Sequence, residues 1–383
     1  MKPTVPPDYP DDAVPEPVHR GRGALSNESS RYDSEKRIRT TDGWETAASD
    51  SEDDELPPLR TTLTRDATRT ILARNTSPDV PFDRSINPYR GCEHGCIYCF
   101  ARPTHAYLGL SPGLDFETKI LFKPDAAKLL AAELASPKYR PDVVAMGTNT
   151  DPYQPVEREL KITRQILQVL SEFNNPVGIV TKNHLVTRDI DILGDMARRN
   201  LAEVFLSVTT LDRELARTME PRASTPQRRL DAIRALAAAG IPAGVMTAPM
   251  IPGLNDHEME SILEAAKEAG AGRAGFTVLR LPLEIKDLFQ EWLRQHRPDR
   301  AERVLSLIRQ MRGGALYQSS FGVRMKGEGP IAELLGARFT AAVKRLELNR
   351  VRYRLDVERF RVPESARTAL VDASRDGRQL KLL

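Results

Sequence analysis

The sequence predicts an α/β fold in which helices cover a parallel sheet. From about residue 85, short apolar runs alternate with segments whose apolar residues recur at helical spacing, such as Ile166, Leu167 and Leu170. Gly240 and Gly270 mark the ends of two of these helical segments. Parallel strands need a crossover between them, and a helix of about 10–15 residues supplies it.

Six strands and four helices are predicted in chain order. The strands lie around 85–90 and at 142–147, 176–182, 203–209, 242–249 and 274–280. The helices lie near 157–173, 187–199, 225–239 and 256–269. Six parallel strands are compatible with an open doubly wound sheet and with a closed or partial (β/α) barrel. No G-x-G-x-x-G pattern follows any strand, which weakens the interpretation as a dinucleotide-binding domain.

The pattern divides the chain into four parts. Residues 1–65 are poor in large apolar side chains and contain the acidic run SDSEDDELPP, so we expect a disordered N-terminal tail. Residues 66–285 are predicted to form the α/β core. Residues 286–350 show patterns such as EIKDLFQEWLRQH and predict a helical C-terminal extension. Residues 351–383 are a basic C-terminal tail, and the pattern NRVRYRLDVERFRVP around its start suggests β-structure.

The composition indicates a globular protein without a membrane segment. Hydrophobic residues make up 40% and charged residues 28%, and the formal net charge is only +3, so the chain as a whole has no strong preference for polyanions. No run of eighteen or more apolar residues is present. The first residues lack the apolar segment of a signal peptide. We therefore expect a cytoplasmic protein with no membrane partner.

All three cysteines of the chain lie in the stretch GCEHGCIYC, as Cys92, Cys96 and Cys99. Three thiolates can hold three irons of a [4Fe–4S] cluster and leave the fourth iron open for a ligand with an amino and a carboxylate group. Gly91 and Gly95 suit a loop that wraps tightly around a cluster. Two alternatives remain: a Cys3His zinc site that uses His94 or a distant histidine, and a catalytic cysteine, which would not explain three.

The cysteine stretch resembles the cluster loop of the radical SAM enzymes, with Tyr98 directly before the third cysteine. The stretches YCFARPTHAYLG, FETKILFK, GTNTDPYQPVE, TKNHL, SVTTLD and MIPGLND resemble the branch of that superfamily that includes spore photoproduct lyase and DNA repair photolyase-like proteins. The resemblance covers about residues 80–335. It implies a partial (β/α)6 TIM-like barrel, with a [4Fe–4S] cluster and S-adenosylmethionine (SAM) at the carboxyl ends of the strands.

The resemblance also implies a set of cofactor-binding residues beside the three cysteines. Asp151 and Thr150, with Thr148 and Asn149, would approach the SAM amino group, although the same residues suit an ordinary turn before a proline. Lys182 would meet the SAM carboxylate, unless it is a solvent-exposed strand end. Ser207 and Thr209 lie at the end of the fourth of the six predicted strands; Ser207 would contact the ribose or methionine part of SAM, unless it simply satisfies a backbone group. The remaining candidates are Tyr98 in the loop, and His94, His105 and Tyr107, to which no role is assigned.

The implied activity is that of a radical SAM enzyme. Its cluster, reduced by a flavodoxin- or ferredoxin-type protein, would cleave SAM to a 5′-deoxyadenosyl radical that abstracts hydrogen from an unidentified substrate. In spore photoproduct lyases a further cysteine returns a hydrogen atom. All three cysteines here lie in the loop, so Tyr107, Tyr153 and Tyr317 are the candidates for that role.

Nucleic acid is a candidate substrate because the segment 217–229 and the C-terminal region are rich in arginine, although arginines on helices commonly form a solvated face. Two alternative functions are a zinc-stabilised nucleic-acid-binding protein, and a cluster-bearing electron carrier or sensor without SAM chemistry.

Overall fold

The computed structural model describes residues 19–33, 59–351 and 354–366. Its strands are β1 (Thr62–Arg65), β2 (Leu72–Arg74), β3 (Arg84–Ile86), β4 (Tyr89–Arg90), β5 (Lys119–Phe122), β6 (Val144–Met146), β7 (Val177–Thr181), β8 (Ala202–Ser207), β9 (Ala243–Met250) and β10 (Arg273–Val278). Its α-helices are α1 (Leu114–Thr118), α2 (Ala126–Leu134), α3 (Glu157–Leu160), α4 (Ile162–Glu172), α5 (Ile190–Arg198), α6 (Arg213–Met219), α7 (Pro226–Ala238), α8 (Met259–Glu268), α9 (Ile285–His296), α10 (Ala301–Gln310), α11 (Val323–Lys326) and α12 (Gly329–Arg345). Short 3-10 helices span Arg102–Leu108, His184–Asp189 and Asp256–Glu258.

The strand order of the main sheet decides between the two predicted architectures. The order is β10-β9-β8-β7-β6-β3-β2, and all neighbours are parallel except β2 and β3. The six parallel strands therefore follow one another in chain order. A doubly wound sheet reverses its direction at a switch point, whereas a barrel does not. The predicted partial (β/α)6 barrel is confirmed.

The predicted strands and helices agree with the structure in place and type, with three differences of detail. The strand expected around 85–90 is two strands, because the chain leaves the main sheet after β3 and β4 joins a small sheet of order β1-β5-β4. The helix expected over 157–173 is interrupted at Lys161, whose φ of 52° is left-handed. The helices expected over 187–199 and 256–269 each begin as a 3-10 turn. The apolar spacing in α4 was interpreted correctly, since Ile166, Leu167 and Leu170 are all fully buried.

The expectation of a disordered tail over residues 1–65 is corrected for part of that range. Residues 19–33 pack on the core, where Ala24 is fully buried, and β1 pairs in parallel with β5. The prediction rested on the scarcity of large apolar side chains, but this packing is made mainly by backbone groups and charged side chains. Residues 1–18 and 34–58 lie outside the described residues.

The C-terminal extension is helical, as predicted, and contains α9 to α12. In the described part of the basic tail, residues 351 and 354–366, there is no strand. Residues 352–353 and 367–383 lie outside the described residues. Among the helices that the structure describes, none is long and apolar enough to cross a membrane.

The free edge of β10 is covered by one side chain from the end of the extension. Asn349 accepts from the backbone N–H of Ala274 and donates to its carbonyl, both at 2.9 Å. The backbone N–H of Asn349 donates to the carbonyl of Gly272 at 2.9 Å. The asparagine thus makes the hydrogen bonds that a neighbouring strand would make.

Candidate functional site

Two consecutive backbone turns fold the cysteine loop, residues 91–100. The N–H of Gly95 donates to the carbonyl of Cys92 at 3.4 Å, and the N–H of Cys99 donates to the carbonyl of Cys96 at 3.2 Å. Each turn returns the chain on itself, so the side chains of the three cysteines are gathered on one short loop.

The loop is attached at both sides by main-chain hydrogen bonds. The N–H of Cys92 donates to the carbonyl of Phe116 in α1 at 2.9 Å, and the N–H of Ile97 donates to the carbonyl of Met219 in α6 at 3.0 Å. Because α6 follows β8, the loop lies at the carboxyl ends of the parallel strands. This edge is where α/β barrels carry their active sites.

The three cysteines form a set of free thiols. Cys92 and Cys96 are buried and Cys99 is half-buried. Burial raises the pKa of the Cys92 thiol most, followed by the negative charge of Asp151 and then by Cys96 and Cys99. Burial also raises the pKa of Cys96. Such thiols become thiolates when a metal ion displaces their protons, and this donor set therefore fits a metal centre.

The zinc site considered as an alternative is not formed among the described residues. Within the described ranges, no three or more His, Cys, Asp and Glu side chains are arranged to hold a metal ion. The ligands of one zinc ion must converge on a single point, whereas each thiolate of an iron–sulfur cluster binds a different iron. His94, the expected fourth zinc ligand, is engaged elsewhere: its Nδ1 lies 3.4 Å from Asp151 and its Nε2 lies 3.3 Å from the amide of Asn183.

On one side of the loop, Arg102 and Glu117 form a buried ion pair. Arg102 also donates to the carbonyls of Gly95 at 3.1 Å, Cys96 at 2.9 Å and Gly113 at 2.9 Å. One guanidinium group therefore holds the backbone of the cysteine loop at two successive residues. We call this pair and its partners the Glu117 flank.

Residues 19–33, which we call the N-terminal strap, cross the Glu117 flank. Glu117 accepts from the backbone N–H groups of Gly23 at 3.0 Å and Ala24 at 2.8 Å. The backbone of Gly23 lies so close to Gly95 that a Cβ atom on Gly23 would overlap the Gly95 carbonyl oxygen. The strap therefore covers the cysteine loop directly.

The outer part of the strap reaches the C-terminal extension. Ser26 donates to Glu291 in α9 at 2.8 Å, and Arg31 pairs with Glu284, the residue before α9, at 2.8 Å. The strap thus joins the loop to a segment more than 180 residues later in the chain. Neither contact was predicted.

On the other side of the loop, Arg229 and Glu220 form a second buried ion pair. The hydroxyl of Tyr98 donates to Glu220, and the hydroxyl of Thr209 donates to it at 2.6 Å. Arg229 donates to the carbonyl of Ser207 at 2.9 Å. This second set, the Glu220 flank, brings together Tyr98, Ser207 and Thr209, three of the residues expected at the cofactor site.

Lys182, at the end of β7, faces the cysteine loop. Its ammonium nitrogen lies 5.7 Å from the centre of the Tyr98 ring, and its charge lowers the pKa of Cys96 against the larger effect of burial. In the described part of the chain Lys182 is in no ion pair. A cation in this position can bind a carboxylate or offset thiolate charge.

Asp151, after β6, is held as a carboxylate by several donors. It accepts from the Thr181 hydroxyl at 2.7 Å, the Lys182 N–H at 2.7 Å and the Tyr153 N–H at 2.9 Å. Burial alone would raise the pKa of Asp151, but His94, Thr181 and the Lys182 N–H lower it to about 2. Asp151 is therefore ionised beside Cys92.

Thr150 connects this loop to the chain before the cysteines. Its hydroxyl donates to the carbonyl of Tyr89 at 3.1 Å. The side-chain oxygen of Asn87, a residue that the sequence did not single out, accepts from the N–H of Asn149 at 3.2 Å and lies 3.5 Å from the N–H of Thr150 and the hydroxyl of Thr148. Hydrogen bonds to Asn87 and Tyr89 thus fix the loop after β6, and Thr150 makes one of these bonds.

The three candidate tyrosines occupy different environments. Tyr107 is 70% exposed on the 3-10 helix after the loop, and Tyr153 is fully buried, where burial raises its pKa strongly. Tyr317 lies beside Arg280, at the carboxyl end of β10; burial lowers the pKa of that arginine, and Tyr317 opposes this effect. His105, whose role was left open, is buried and its ring lies 3.0 Å from the Lys119 carbonyl.

The arginines of segment 217–229 divide into two groups. Arg229 is buried in the Glu220 flank, and Arg222 pairs with Glu93 at 3.0 Å. Arg217 and Arg228 are exposed and are in no ion pair among the described residues. Only part of this basic segment is therefore free to meet an external anion.

The fold, the strand-end site and the cysteine spacing define a protein of the radical SAM class. The model of the Radical SAM superfamily matches residues 86–266. An uncharacterized protein of Mycobacterium tuberculosis is 39% identical over 234 residues, which cover 60% of this chain and 68% of that protein. The chain belongs to the radical SAM superfamily.

Further similarities extend the comparison without assigning a reaction. An uncharacterized protein of Methanocaldococcus jannaschii is 28% identical over 173 residues, 45% of this chain and 62% of that protein. Spore photoproduct lyase complexed with dinucleoside spore photoproduct shares the fold, with a TM-score of 0.53 and 16% identity over 74% of this chain and 79% of that one. A double mutant of spore photoproduct lyase with bound AdoMet and dinucleoside spore photoproduct also has a TM-score of 0.53, at 15% identity over 74% of this chain and 78% of that one.

Proposed function

We propose that this chain is a radical SAM enzyme whose Cys92, Cys96 and Cys99 hold a [4Fe–4S] cluster with one iron left open for SAM. The observation that carries the proposal is the set of three free thiols on one short loop, which is fixed at the carboxyl edge of a partial (β/α)6 barrel. A cluster held by these cysteines would, once reduced, supply the one electron that cleaves SAM to methionine and a 5′-deoxyadenosyl radical, and that radical would abstract hydrogen from the substrate.

The residues around the loop have separate roles in this proposal. Lys182 binds the SAM carboxylate, because it is a cation at the loop without an ion-pair partner among the described residues. Asp151 supplies negative charge for the SAM amino group, and Thr150 shapes the loop that carries it. Ser207 would contact the ribose or methionine part of SAM, and Tyr98 would belong to the same cofactor site.

The buried flanks exclude water from the loop. Arg102, Glu117, Arg229 and Glu220 are each at most 2% exposed, and the N-terminal strap covers the Glu117 flank. A radical intermediate is lost when water or a stray hydrogen donor reaches it. These residues therefore protect the reaction as well as fixing the loop.

For the substrate, we propose a compound related to nucleic acid. Support comes from spore photoproduct lyase, which shares the fold and was solved with a dinucleoside lesion, and from the exposed Arg217 and Arg228, which can approach phosphates. A hydrogen-returning cysteine outside the cluster loop is absent from this sequence, so the spore photoproduct reaction would need a tyrosine in that role. The electron donor we propose is a flavodoxin- or ferredoxin-type protein.

The test is anaerobic reconstitution of the full chain with iron and sulfide, followed by addition of dithionite and SAM. We expect about four irons and four sulfides per chain and formation of 5′-deoxyadenosine. Cys96→Ala should lose both iron and 5′-deoxyadenosine. Lys182→Ala should keep iron but bind SAM at least about tenfold more weakly. Lys128→Ala, a change of the same charge on the exposed face of α2, is the matched control.

Other outcomes would favour the alternatives. A loaded cluster that never cleaves or binds SAM, with Lys182→Ala silent, would indicate an electron carrier or sensor. One tightly held zinc in a colourless protein would indicate the zinc-stabilised protein. Retention of 5′-deoxyadenosine formation in Cys96→Ala would refute the cluster assignment.

A further inference from the structure

Arg280 lies at the barrel mouth, by which we mean the edge formed by the carboxyl ends of the six parallel strands. The proposed cofactor site does not use this residue. It follows β10, the last of the six parallel strands, by two residues and so lies at the same edge as the cysteine loop. Its guanidinium carbon is 4.6 Å from the centre of the Phe100 ring. Phe100 directly follows Cys99 and is 41% exposed. The last strand of the open barrel therefore meets the cysteine loop through an arginine stacked on an aromatic face.

Among the residues that the structure describes, Arg280 has no carboxylate partner of its own: Tyr317 lies beside it, and Asp79, which also favours its charge, is paired with Arg324. The side chain is half-buried, and it is in no ion pair within the described residues. Its Nε is buried and has no hydrogen-bond partner, and one Nη donates to the thioether of Met325 at 3.2 Å, a weak acceptor. A buried donor of a charged group that has no hydrogen-bond partner destabilises the folded chain, unless a ligand or a water molecule accepts its hydrogen bond.

Two neighbouring arginines add positive charge near Arg280. Arg312 is buried and donates to two backbone carbonyls, those of Leu279 at 2.9 Å and Val323 at 2.7 Å. Arg324 pairs with Asp79 and stacks on Phe321. Of these three arginines, only Arg324 is in an ion pair in the part of the chain that the structure describes. Positive charge thus accumulates beside the mouth.

We propose that Arg280 and Phe100 form an anion-binding subsite for the substrate, in which Arg280 binds a phosphate or carboxylate group and Phe100 packs against the adjoining part of the molecule. The guanidinium group suits both anions because its N–H groups match their oxygens in pairs. The exposed aromatic face beside it suits a flat or apolar group. This inference rests on the proposed function, since it places a substrate over the cysteine loop.

The test uses the anaerobically reconstituted full chain and three probes: inorganic phosphate, acetate and SAM. We expect the wild type to bind phosphate or acetate, with the tighter of the two identifying the anion class. Arg280→Gln should weaken that binding at least about tenfold while leaving iron content and SAM affinity unchanged. Arg198→Gln, which removes the same charge from an exposed site on α5, is the matched control and should bind like the wild type.

A second measurement needs no variant. Phenylglyoxal modifies accessible arginines, and mass spectrometry of peptides from the wild-type chain reports the rate at each position. The anion that binds should slow modification of Arg280 and leave that of Arg198 unchanged. Equal rates at Arg280 with and without either anion would overturn the subsite, whether or not Arg280→Gln folds.

The remaining outcomes are also decisive. If Arg280→Gln binds phosphate and acetate as the wild type does, the subsite is wrong. If it instead loses SAM affinity, Arg280 serves the cofactor and the proposal is wrong. Cleavage of SAM by a chain that binds neither anion would remove the subsite and leave the proposed function intact. Anion binding by a chain that never cleaves SAM would refute the proposed function and leave the anion-binding subsite intact.

Discussion

The two flanks of the cysteine loop use the same kind of charge pair for different purposes. In the Glu117 flank, Arg102 donates to the loop's own carbonyls and the carboxylate accepts from backbone N–H groups of the strap. In the Glu220 flank, the carboxylate accepts from the hydroxyls of Tyr98 and Thr209. The first flank therefore sets the path of the loop backbone, and the second ties a side chain of the loop to the strand ends.

Because of this difference, we expect replacement by glutamine to be tolerated less well at Glu117 than at Glu220. A backbone N–H can only donate, whereas a hydroxyl can donate or accept. Both oxygens of Glu117 accept from fixed N–H groups of Gly23 and Ala24. A glutamine at that position would turn its NH2 group toward one of them. At Glu220 the hydroxyls can rotate to accept from the new NH2 group.

The largest expected effect is therefore a difference between Glu117→Gln and Glu220→Gln. Glu117→Gln leaves Arg102 without its buried charge partner and turns an NH2 group toward a backbone N–H, so we expect a loss of about 3–5 kcal/mol. Glu220→Gln should cost less, because its hydroxyl partners adapt. Thermal unfolding and iron content of both variants measure the difference. An equal loss in both would show that the flanks do not differ as described.

The second effect is a pH dependence located at His105, which lies outside the two flanks. Burial lowers the pKa of His105 to about 4, whereas an unfolded histidine has a pKa of about 6.5. Between these values the unfolded chain binds a proton that the folded chain does not, so stability falls as the pH drops from about 6.5 to 4, by up to about 3 kcal/mol.

Unfolding of the iron-free chain at several pH values measures this slope. His105→Gln keeps a donor for the Lys119 carbonyl and should flatten the slope, and exposed His257→Gln is the control that should not. A slope that persists in His105→Gln would assign the acid sensitivity to other groups.

A smaller effect tests whether the strap belongs to the site. Gly23→Ala places a Cβ atom against the Gly95 carbonyl, so we expect the strap to be displaced at a cost of about 1–3 kcal/mol. Trypsin should then cut faster after the strap arginines Arg20, Arg22 and Arg31, and the reconstituted cluster should bleach faster in air. Gly272→Ala has no neighbour within 4 Å of the added atom and is the control. Unchanged cleavage and bleaching would separate the strap from the cluster loop.

The smallest expected effect lies in the Glu220 flank. Tyr98→Phe removes one hydrogen bond from Glu220, which keeps its bonds to Thr209 and Arg229, so we expect a loss of about 1 kcal/mol. Iron content should be unchanged. The comparison variant is Tyr107→Phe, at a 70% exposed position, which should unfold like the wild type. Loss of iron in Tyr98→Phe would show that this hydroxyl also sets the loop backbone.

The sequence predicts those parts of the fold whose pattern lies within a short stretch of the chain. The spacing of Cys92, Cys96 and Cys99 and the apolar periodicity of α4 each lie within a few turns of chain, and both point to the correct structure. The strand order did not follow from the series alone, which suited both a doubly wound sheet and a barrel; the barrel was implied by the family resemblance, and the observed order agrees with it.

The flanks were not predictable because their contacts join distant residues through groups that carry no pattern. Gly23 and Glu117 are 94 positions apart, and the contact consists of a backbone N–H and a carboxylate. Glu117 occurs in the stretch FETKILFK without any feature that distinguishes a buried glutamate from an exposed one. The interruption of the helix at Lys161 was not predictable either, because glycine is the residue that usually indicates a left-handed φ.

The asparagine at the edge of β10 has a consequence for association between copies of the chain. An open barrel, unlike a closed one, leaves its terminal strand with unpaired N–H and C=O groups that can recruit a strand from another molecule. Asn349 occupies both groups of Ala274 with its own amide. One side chain thus gives this open sheet part of the resistance to edge-to-edge aggregation that a closed barrel obtains from its geometry.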